Sequence, residues 1–344
     1  MRNSVRAYLL SMLCWAVTPC TTTAAERLPV TMVYDARLLS HDVGPGHPEN
    51  AARLSHIVTH LQQHPLLNHH LRWPIVHPAT EADLLRVHTP EYLAQLEAAH
   101  ATLLPGQYLT LSTGDTVISQ GSLAVAKLAT GAALAGVDAV MQQQSKAAFA
   151  LVRPPGHHAT ANRGMGFCIY NHVAVAARYA QQQYGVRHVL IVDIDVHHGN
   201  GTQAIFDADQ SVFYFSAHQH PLYPGTGLGN ERGEGVGLGT TMNIQVPAGS
   251  SADRLLNAWQ QQLVPAMQNF RPELIIVSAG LDAHTGDYLG QLRYSDAAYA
   301  AIANHIQVLA NRYAQGRMVW VLEGGYVPAN NAQAVEAILT TLTN

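Results

Sequence analysis

The chain has 344 residues, 48% of them hydrophobic and 12% charged, the profile of a folded globular protein with one large domain or two small ones. Lys and Arg total 19 against 23 Asp and Glu, for a formal net charge of −4, and no basic run occurs, which speaks against a nucleic-acid-binding surface. Among the 20 histidines, His60, His64, His69 and His70 fall in polar helical stretches and read as solvated side chains.

Residues 1–25 read as a secretory signal. Arg2 and Arg6 precede a short apolar core, Ala7–Val17, and Thr23-Ala24-Ala25 offers a small-residue cleavage site before Glu26. That core is too short to span a bilayer, so no stable membrane insertion is expected after cleavage. Lipidation at Cys20 is a weaker alternative, because Pro19 is not the small residue such processing wants. Cleavage leaves a catalytic-size chain, 26–344, with Cys168 as its one cysteine and therefore no internal disulfide. The single glycosylation sequon, Asn200-Gly201-Thr202, lies inside a polar motif that a glycan would block. Both facts favour export through a bacterial inner membrane, and the expected location is the periplasm.

From residue 30 the chain alternates apolar strands with amphipathic helices. Val30–Tyr34 is a strand, Ser40–Pro48 a Gly/Pro loop, and a helix begins near Glu49. Helical periodicity continues over Ala79–Gln95, interrupted by Pro90, and over the Ala-rich Ser119–Gln144. Strand Ala147–Val152, helix Tyr170–Tyr184, and strands His188–Asp195 and Val212–Ser216 follow. Then come strand Thr241–Val246, helix Ala252–Phe270 and strand Leu274–Ser278. Helix Ser295–Tyr313, strand Arg317–Leu322 and a helix near Asn331–Leu342 close the chain. With no linker or repeat, this is one α/β domain: a doubly wound, mostly parallel sheet with helices on both faces. The glycine-dense Gly225–Gly239 has no G-x-G-x-x-G in register and reads as a surface loop.

The stretch His188–Gly201 turns from an apolar run into Asp193, Asp195, His197, His198 and a Gly-Asn-Gly turn. On a strand Asp193, Asp195 and His197 share one face, and a carboxylate with an imidazole at a strand end suits a divalent metal, zinc above all. A lone pair of this kind is more often a strand cap. Here three further apolar strands end in polar motifs: Arg153–His158, Ser278–His284 and Glu323–Tyr326. In an open parallel sheet the ligand crevice lies beyond the carboxyl ends of the strands, so four such endings converge on one place. Asp195, His197 and Asp282 would supply three metal ligands and leave positions open for water and substrate. His157 and His158 are candidate proton carriers that different partners can hold in different protonation states. Asp193 is placed to orient one of them, and Asn200 to bond the other without adding charge. Tyr326, after a Gly-Gly turn, can donate to a developing oxyanion. The constellation suits metal-assisted amide hydrolysis, with Cys168 as packing.

HPENAARL, RPPGHHA, GFCIYNH, DIDVHHGNGTQ, YPGTG, SAGLDAH and LEGGY, in that order, resemble the landmarks of the histone deacetylase superfamily. That group includes bacterial histone-deacetylase-like amidohydrolases and acetylpolyamine amidohydrolases, of the arginase-deacetylase fold. The resemblance implies zinc on Asp195, His197 and Asp282, with His158 as general base and acid and His157, paired to Asp193, as its electrostatic partner. It implies that Tyr326 polarises the acyl carbonyl, that Phe167 and Tyr223 flank the acyl channel, and that Gly166 and Gly325 line it. A structural potassium ion is implied around the main-chain carbonyls of Asp193, Asp195 and His197 with the Ser216 hydroxyl. A second is implied around Phe206, Asp209 and Val212.

Three departures bear on substrate. Asn200 stands where one class has a second aspartate, as in class II-like members. Tyr223 replaces a usual phenylalanine and adds a hydroxyl to the channel wall. HPENAARL departs from the more usual HPERPERL but keeps Arg53. The resulting expectation is zinc-dependent hydrolysis of N-acyl amides of primary amines, on a small acylated amine or an acyl-lysine peptide. An acetylpolyamine deacetylase is the nearest alternative, and a catalytically silent acyl-ligand or zinc-binding protein the one from another class. Leu289, seven residues after Asp282, is expected near the channel mouth, where polyamine-specific relatives resemble one another in carrying an acidic gate. Leucine offers a distant ammonium no partner, while Asp42 or Asp115 could substitute for the missing acid.

Overall fold

Residues 28–111 and 113–344 are described by the computed structural model, so the predicted export signal lies outside the described residues. In chain order the strands are β1 (Val30–Val33), β2 (Leu71–Arg72), β3 (Leu109–Thr110), β4 (Val117–Ile118), β5 (Ala147–Ala150), β6 (Val189–Asp193), β7 (Val212–Gln219), β8 (Thr241–Val246), β9 (Leu274–Ala279) and β10 (Met318–Leu322). The helices are α1 (Ala52–Gln63), α2 (Glu81–Leu84), α3 (Pro90–Ala101), α4 (Ser122–Met141), α5 (His172–Tyr184), α6 (Asn200–Phe206), α7 (Asp253–Ala258), α8 (Val264–Phe270), α9 (Asp296–Tyr313) and α10 (Pro328–Thr343).

Eight strands form one sheet in the order β2-β1-β5-β10-β9-β6-β7-β8, and every pairing in it is parallel. Its central strands, such as Val189–Asp193 and Leu274–Ala279, are buried along their whole length. That is why they read as continuous apolar runs: helix layers cover both faces of a parallel sheet. The strands carrying the four polar motifs, β5, β10, β9 and β6, are consecutive neighbours at its centre. Their carboxyl ends therefore open side by side, which is what brings distant motifs together.

Helix α4 is the one described helix long and apolar enough to cross a membrane, yet 78% of its most apolar window is buried in the protein. Its glycines are needed for that burial, since a Cβ at Gly131 would lie 1.9 Å from the carbonyl oxygen of His77. Pro90 starts a helix rather than interrupting one: it sits in the first turn of α3 behind the capping hydroxyl of Thr89, where no backbone N–H is needed. The predicted helix Ala252–Phe270 carries a wider π turn at Trp259–Leu263, one way to accommodate Pro265, which has no N–H to donate. Strand β6 stops at Asp193, short of the predicted Asp195, and the Gly-Asn-Gly segment opens helix α6 instead of a turn.

Beneath the strand ends lies a buried ion cluster. Arg53 on α1 donates to Glu49 Oε1 at 3.0 Å, and Arg153, after β5, holds the same carboxylate through Nε at 2.9 Å and Nη2 at 2.8 Å. Arg53 also donates to the carbonyls of Glu323 and Gly325, which ties α1 to the turn after β10. Burial opposes the Glu49 charge, but Arg153 and then Arg53 hold its carboxyl down to about 2. Glu49→Gln would leave two buried guanidiniums without their shared anion, at a cost of about 3–5 kcal/mol. The urea midpoint of the variant should fall accordingly; an unshifted midpoint would contradict this role.

Candidate active site

The loop leaving β6 carries Asp195 and His197, and the loop leaving β9 carries Asp282; their ligand atoms all lie within 4.8 Å of one another. His197 Nδ1 stands 3.0 Å from Asp195 Oδ1 and 3.2 Å from Asp282 Oδ2. Asp193 does not join them on a shared strand face, because β6 ends there and its carboxylate turns to His157. Backbone amides fix the cluster: Gly324 N–H donates to Asp195 Oδ2 at 2.9 Å and Val196 N–H to Asp282 Oδ1 at 2.9 Å. A Cβ on Gly324 would fall 2.0 Å from Asp282 Oδ2, so only glycine allows the turn to pass.

Asp282 Oδ2 is buried without a hydrogen-bond partner. Burial and then Asp195 raise the Asp282 carboxyl to about 7. Burial opposes charge on His197, but Asp195, which accepts its hydrogen bond, and the charge of Asp282 beside it win and push the ring up to about 10. Two carboxylates this close repel unless a cation or a proton stands between them. An orphaned oxygen, an imidazole nitrogen and a second carboxylate around one point are a donor set that fits a divalent cation such as zinc.

His157 and His158, after β5, lie beside this cluster with ring centroids 4.0 Å apart. His157 Nδ1–H donates to Asp193 Oδ2 at 3.0 Å, and Asp193 also accepts from the Tyr214 hydroxyl at 3.1 Å. Burial disfavours a charged His157, yet Asp193 and Asp195 outweigh it and hold the ring well above its ordinary value. His158 Nδ1–H donates to the neutral Asn200 Oδ1 at 2.8 Å. Burial, then the neighbouring His157, hold His158 well below its ordinary value. The two adjacent rings are therefore shifted in opposite directions, His157 toward the charged form and His158 toward the neutral one.

Tyr326 follows β10. Its amide donates to Asp287 Oδ2 at 2.7 Å, and the Arg53 guanidinium lies 5.0 Å over its ring. Burial keeps the phenol protonated by raising it well above its ordinary value. Tyr326, His158 and His197 border a cavity of about 260 Å³ whose other walls are Asp115, Gly166, Phe167, Leu222, Tyr223 and Leu289. Phe167, Tyr223, Gly166 and Leu289, the residues expected along an acyl channel, all lie in the wall of this cavity. Gly325 is not among the lining residues; it lies under the Tyr326 turn, its carbonyl taken by Arg53 and Asn331. The Tyr223 hydroxyl is not offered to the channel either, since it donates to Asp115 Oδ2 at 2.7 Å.

Of the residues implied for potassium, Ser216 is buried with its hydroxyl 2.9 Å from His218 Nδ1. Asp209 pairs with Arg178 at 2.6 Å, the same guanidinium lies 4.7 Å over Phe206, and Val212 pairs with Val189 in the sheet. Cys168 is a buried free thiol, as its packing role requires. Gly227, in the glycine-dense loop, packs where a Cβ would lie 2.6 Å from His198 and His218. Sequence reasoning missed Glu323 and Asp287 as amide anchors. Glu323 sat in the EGGY motif, where its position was a usable signal; it accepts from the amides of Gly156 and His157. Asp287 had no such neighbour pattern.

This fold and strand-end site define an α/β protein of the arginase-deacetylase type. Residues 47–342 match the histone deacetylase domain. The chain is 38% identical over 316 residues to the chloroplastic histone deacetylase 10 of Oryza sativa subsp. japonica, covering 87% of this chain and 71% of the relative. It is 36% identical over 297 residues to a probable deacetylase of Archaeoglobus fulgidus, covering 86% and 80%. The crystal structure of the HDA15 HD domain superposes with a TM-score of 0.84 at 35% identity, covering 92% of this chain and 88% of that one. The chain belongs to the histone deacetylase family, whose named members are deacetylases and amidohydrolases.

The histidine pair makes a pH prediction. If His158 must be neutral to take a proton, activity should persist below pH 6.5 and fall only as pH drops through its depressed pKa. Asn200→Asp places a carboxylate against His158 and should move that acidic limb upward. An acidic limb already centred above 6.5, or one indifferent to the substitution, would contradict the assignment.

Proposed function

We propose that this chain is a zinc-dependent deacylase that hydrolyses N-acyl amides of primary amines, with acyl-lysine in a peptide as its preferred substrate class. The carrying observation is the orphaned Asp282 Oδ2, converging with Asp195 and with His197, which borders an aromatic-walled cavity. Asp195, His197 and Asp282 would hold the ion, which when bound supplies Lewis acidity at the channel floor.

The chain's own groups account for the rest of the reaction. Phe167 and Tyr223 present apolar ring surface to the stem of the substrate and exclude water around it. His158, neutral and fixed by Asn200, takes the proton of the attacking water through Nε2 and returns it to the departing amine nitrogen. His157, charged and fixed by Asp193, keeps the neighbouring ring neutral before the attack. The Tyr326 phenol donates to the acyl oxygen as negative charge develops there. A silent binding protein would have no use for two histidines with opposite protonation beside a donor phenol.

The lining favours acyl-lysine over acetylpolyamine. Leu289 lines the cavity with an apolar side chain, which offers a polyamine's distant ammonium no partner. The acid in the channel wall, Asp115, already accepts from Tyr223 and from the Gly166 amide. An ion pair at a partly exposed mouth is worth about 1 kcal/mol or less, so the preference is a matter of degree. Turnover of acetyl-lysine peptide, acetylputrescine and acetylspermidine by the purified protein tests the reading. The peptide should be the best of these, and Leu289→Glu should shift kcat/KM toward the acetylpolyamines. Native preference for acetylpolyamines by tenfold would overturn the substrate class, and hydrolysis of none of them the activity itself.

A further inference from the structure

Asp115 sits between β3 and β4, a short hairpin with no part in the main sheet. Its carboxylate is held by the hydroxyls of Thr113 at 2.5 Å and Thr116 at 3.1 Å. Two further donors come from elements far apart in sequence. The Gly166 amide donates to Oδ1 at 3.0 Å, and the Tyr223 hydroxyl donates to Oδ2 at 2.7 Å. Gly166 carries Phe167, one aromatic wall of the channel; Tyr223 is the other. One side chain is therefore bonded to both walls.

Neither wall is well placed to hold itself. Phe167 has φ +67°, a left-handed conformation that is strained for a non-glycine residue and persists only where neighbours enforce it. Gly166 before it, at φ +56°, admits no side chain, because a Cβ would fall 2.3 Å from the His158 ring. Tyr223 is 39% exposed at the edge of its loop, and its ring meets the His158 ring edge-on with centroids 5.1 Å apart. Burial works against the Asp115 charge, but the bonds from Thr113, Tyr223 and Gly166 keep its carboxyl below the ordinary range. It remains an acceptor for every donor around it.

We propose that Asp115 is a specificity-determining positioning residue: by clasping the Phe167 and Tyr223 walls together it fixes the width of the channel and so limits which acyl groups pass. The inference rests on the deacylase reading for its substrate and on bonds within the wall for its mechanism. The clasp makes Tyr223, rather than phenylalanine, the functional choice at its position, because the ring alone would leave that wall untied.

The test uses the zinc-loaded, full mature chain and its Tyr223→Phe, Asp115→Ala and doubly substituted variants, with acetyl-, butyryl- and hexanoyl-lysine peptides. In each single variant the hexanoyl-to-acetyl ratio of kcat/KM should rise about five- to tenfold, the factor that corresponds to one ordinary hydrogen bond. The change should fall on KM more than on kcat. The double variant should add little to Asp115→Ala, because both substitutions break the same link. Amide hydrogen exchange reads the clasp without turnover: Asp115→Ala should speed exchange in segments 163–168 and 221–227, and Tyr223→Phe in the second alone. Ratios within about twofold of native in both single variants, or an additive double variant, would overturn the clasp. A selective loss on cationic substrates would do so too, since Asp115 would then be reading substrate charge. Unchanged exchange in both segments would refute it even if no peptide were hydrolysed, an outcome that would count separately against the deacylase reading. Should Asp115→Ala fail to fold, Tyr223→Phe, which removes one hydroxyl and keeps the ring, carries the test.

Discussion

Five carboxylates, Asp193, Asp195, Asp282, Asp287 and Glu323, are buried at the carboxyl edge of one sheet. Burying even one ionised carboxylate is costly unless donors or cations meet it. The way each is met accounts for the shape of the site. Glu323 takes the amides of Gly156 and His157 and so fixes the histidine loop. Asp287 takes the amide of Tyr326 and fixes the phenol, while Asp193 takes His157. The loops that carry the chemistry are thus held by carboxylates from neighbouring strand ends. One carboxylate oxygen, Asp282 Oδ2, is left over among the described residues. It points to where the remaining positive charge belongs.

The same logic orders the surrounding layers. Behind the site, Glu49 between Arg53 and Arg153 joins helix α1 to the loops after β5 and β10. In front of it, Asp115 joins the two aromatic walls. In both places one anion takes donors from segments distant in the chain, so the relative positions of those segments depend on a few side chains. Side-chain hydrogen bonds also set the two histidines apart: against its burial, Asp193 and Asp195 raise His157, whereas His158, with the neutral Asn200 behind it, is lowered by burial and by the neighbouring His157.

Much of this was legible in the sequence because the reactive residues sit directly after apolar runs. Asp195, His197 and Asp282 could be grouped from their strand-end positions; residue type showed that Asp193 would meet one histidine and Asn200 the other, while the His157–Asp193 pairing came only with the family resemblance. A mostly parallel sheet followed from strands alternating with helices, and the main sheet is parallel throughout. What stayed hidden depends on distance in the chain. Glu49 lay within the HPENAARL motif, but nothing local announces that Arg153, 104 residues on, shares its carboxylate. Asp115 could be named as a rim acid and not placed, since its partner Tyr223 is 108 residues away. Periodicity also misjudged the end of β6, because the alternation of Asp193, Asp195 and His197 continues past the last residue that the sheet can pair.

The central claim is that the convergent carboxylates and His197 exist to hold a catalytic divalent ion. It is tested most directly by stripping the purified protein with a chelator and titrating zinc back while following hydrolysis of an acetyl-lysine peptide. Activity should disappear on chelation and return in full at about one equivalent of zinc per chain. Full activity in the chelated protein, with no metal bound, would contradict the account.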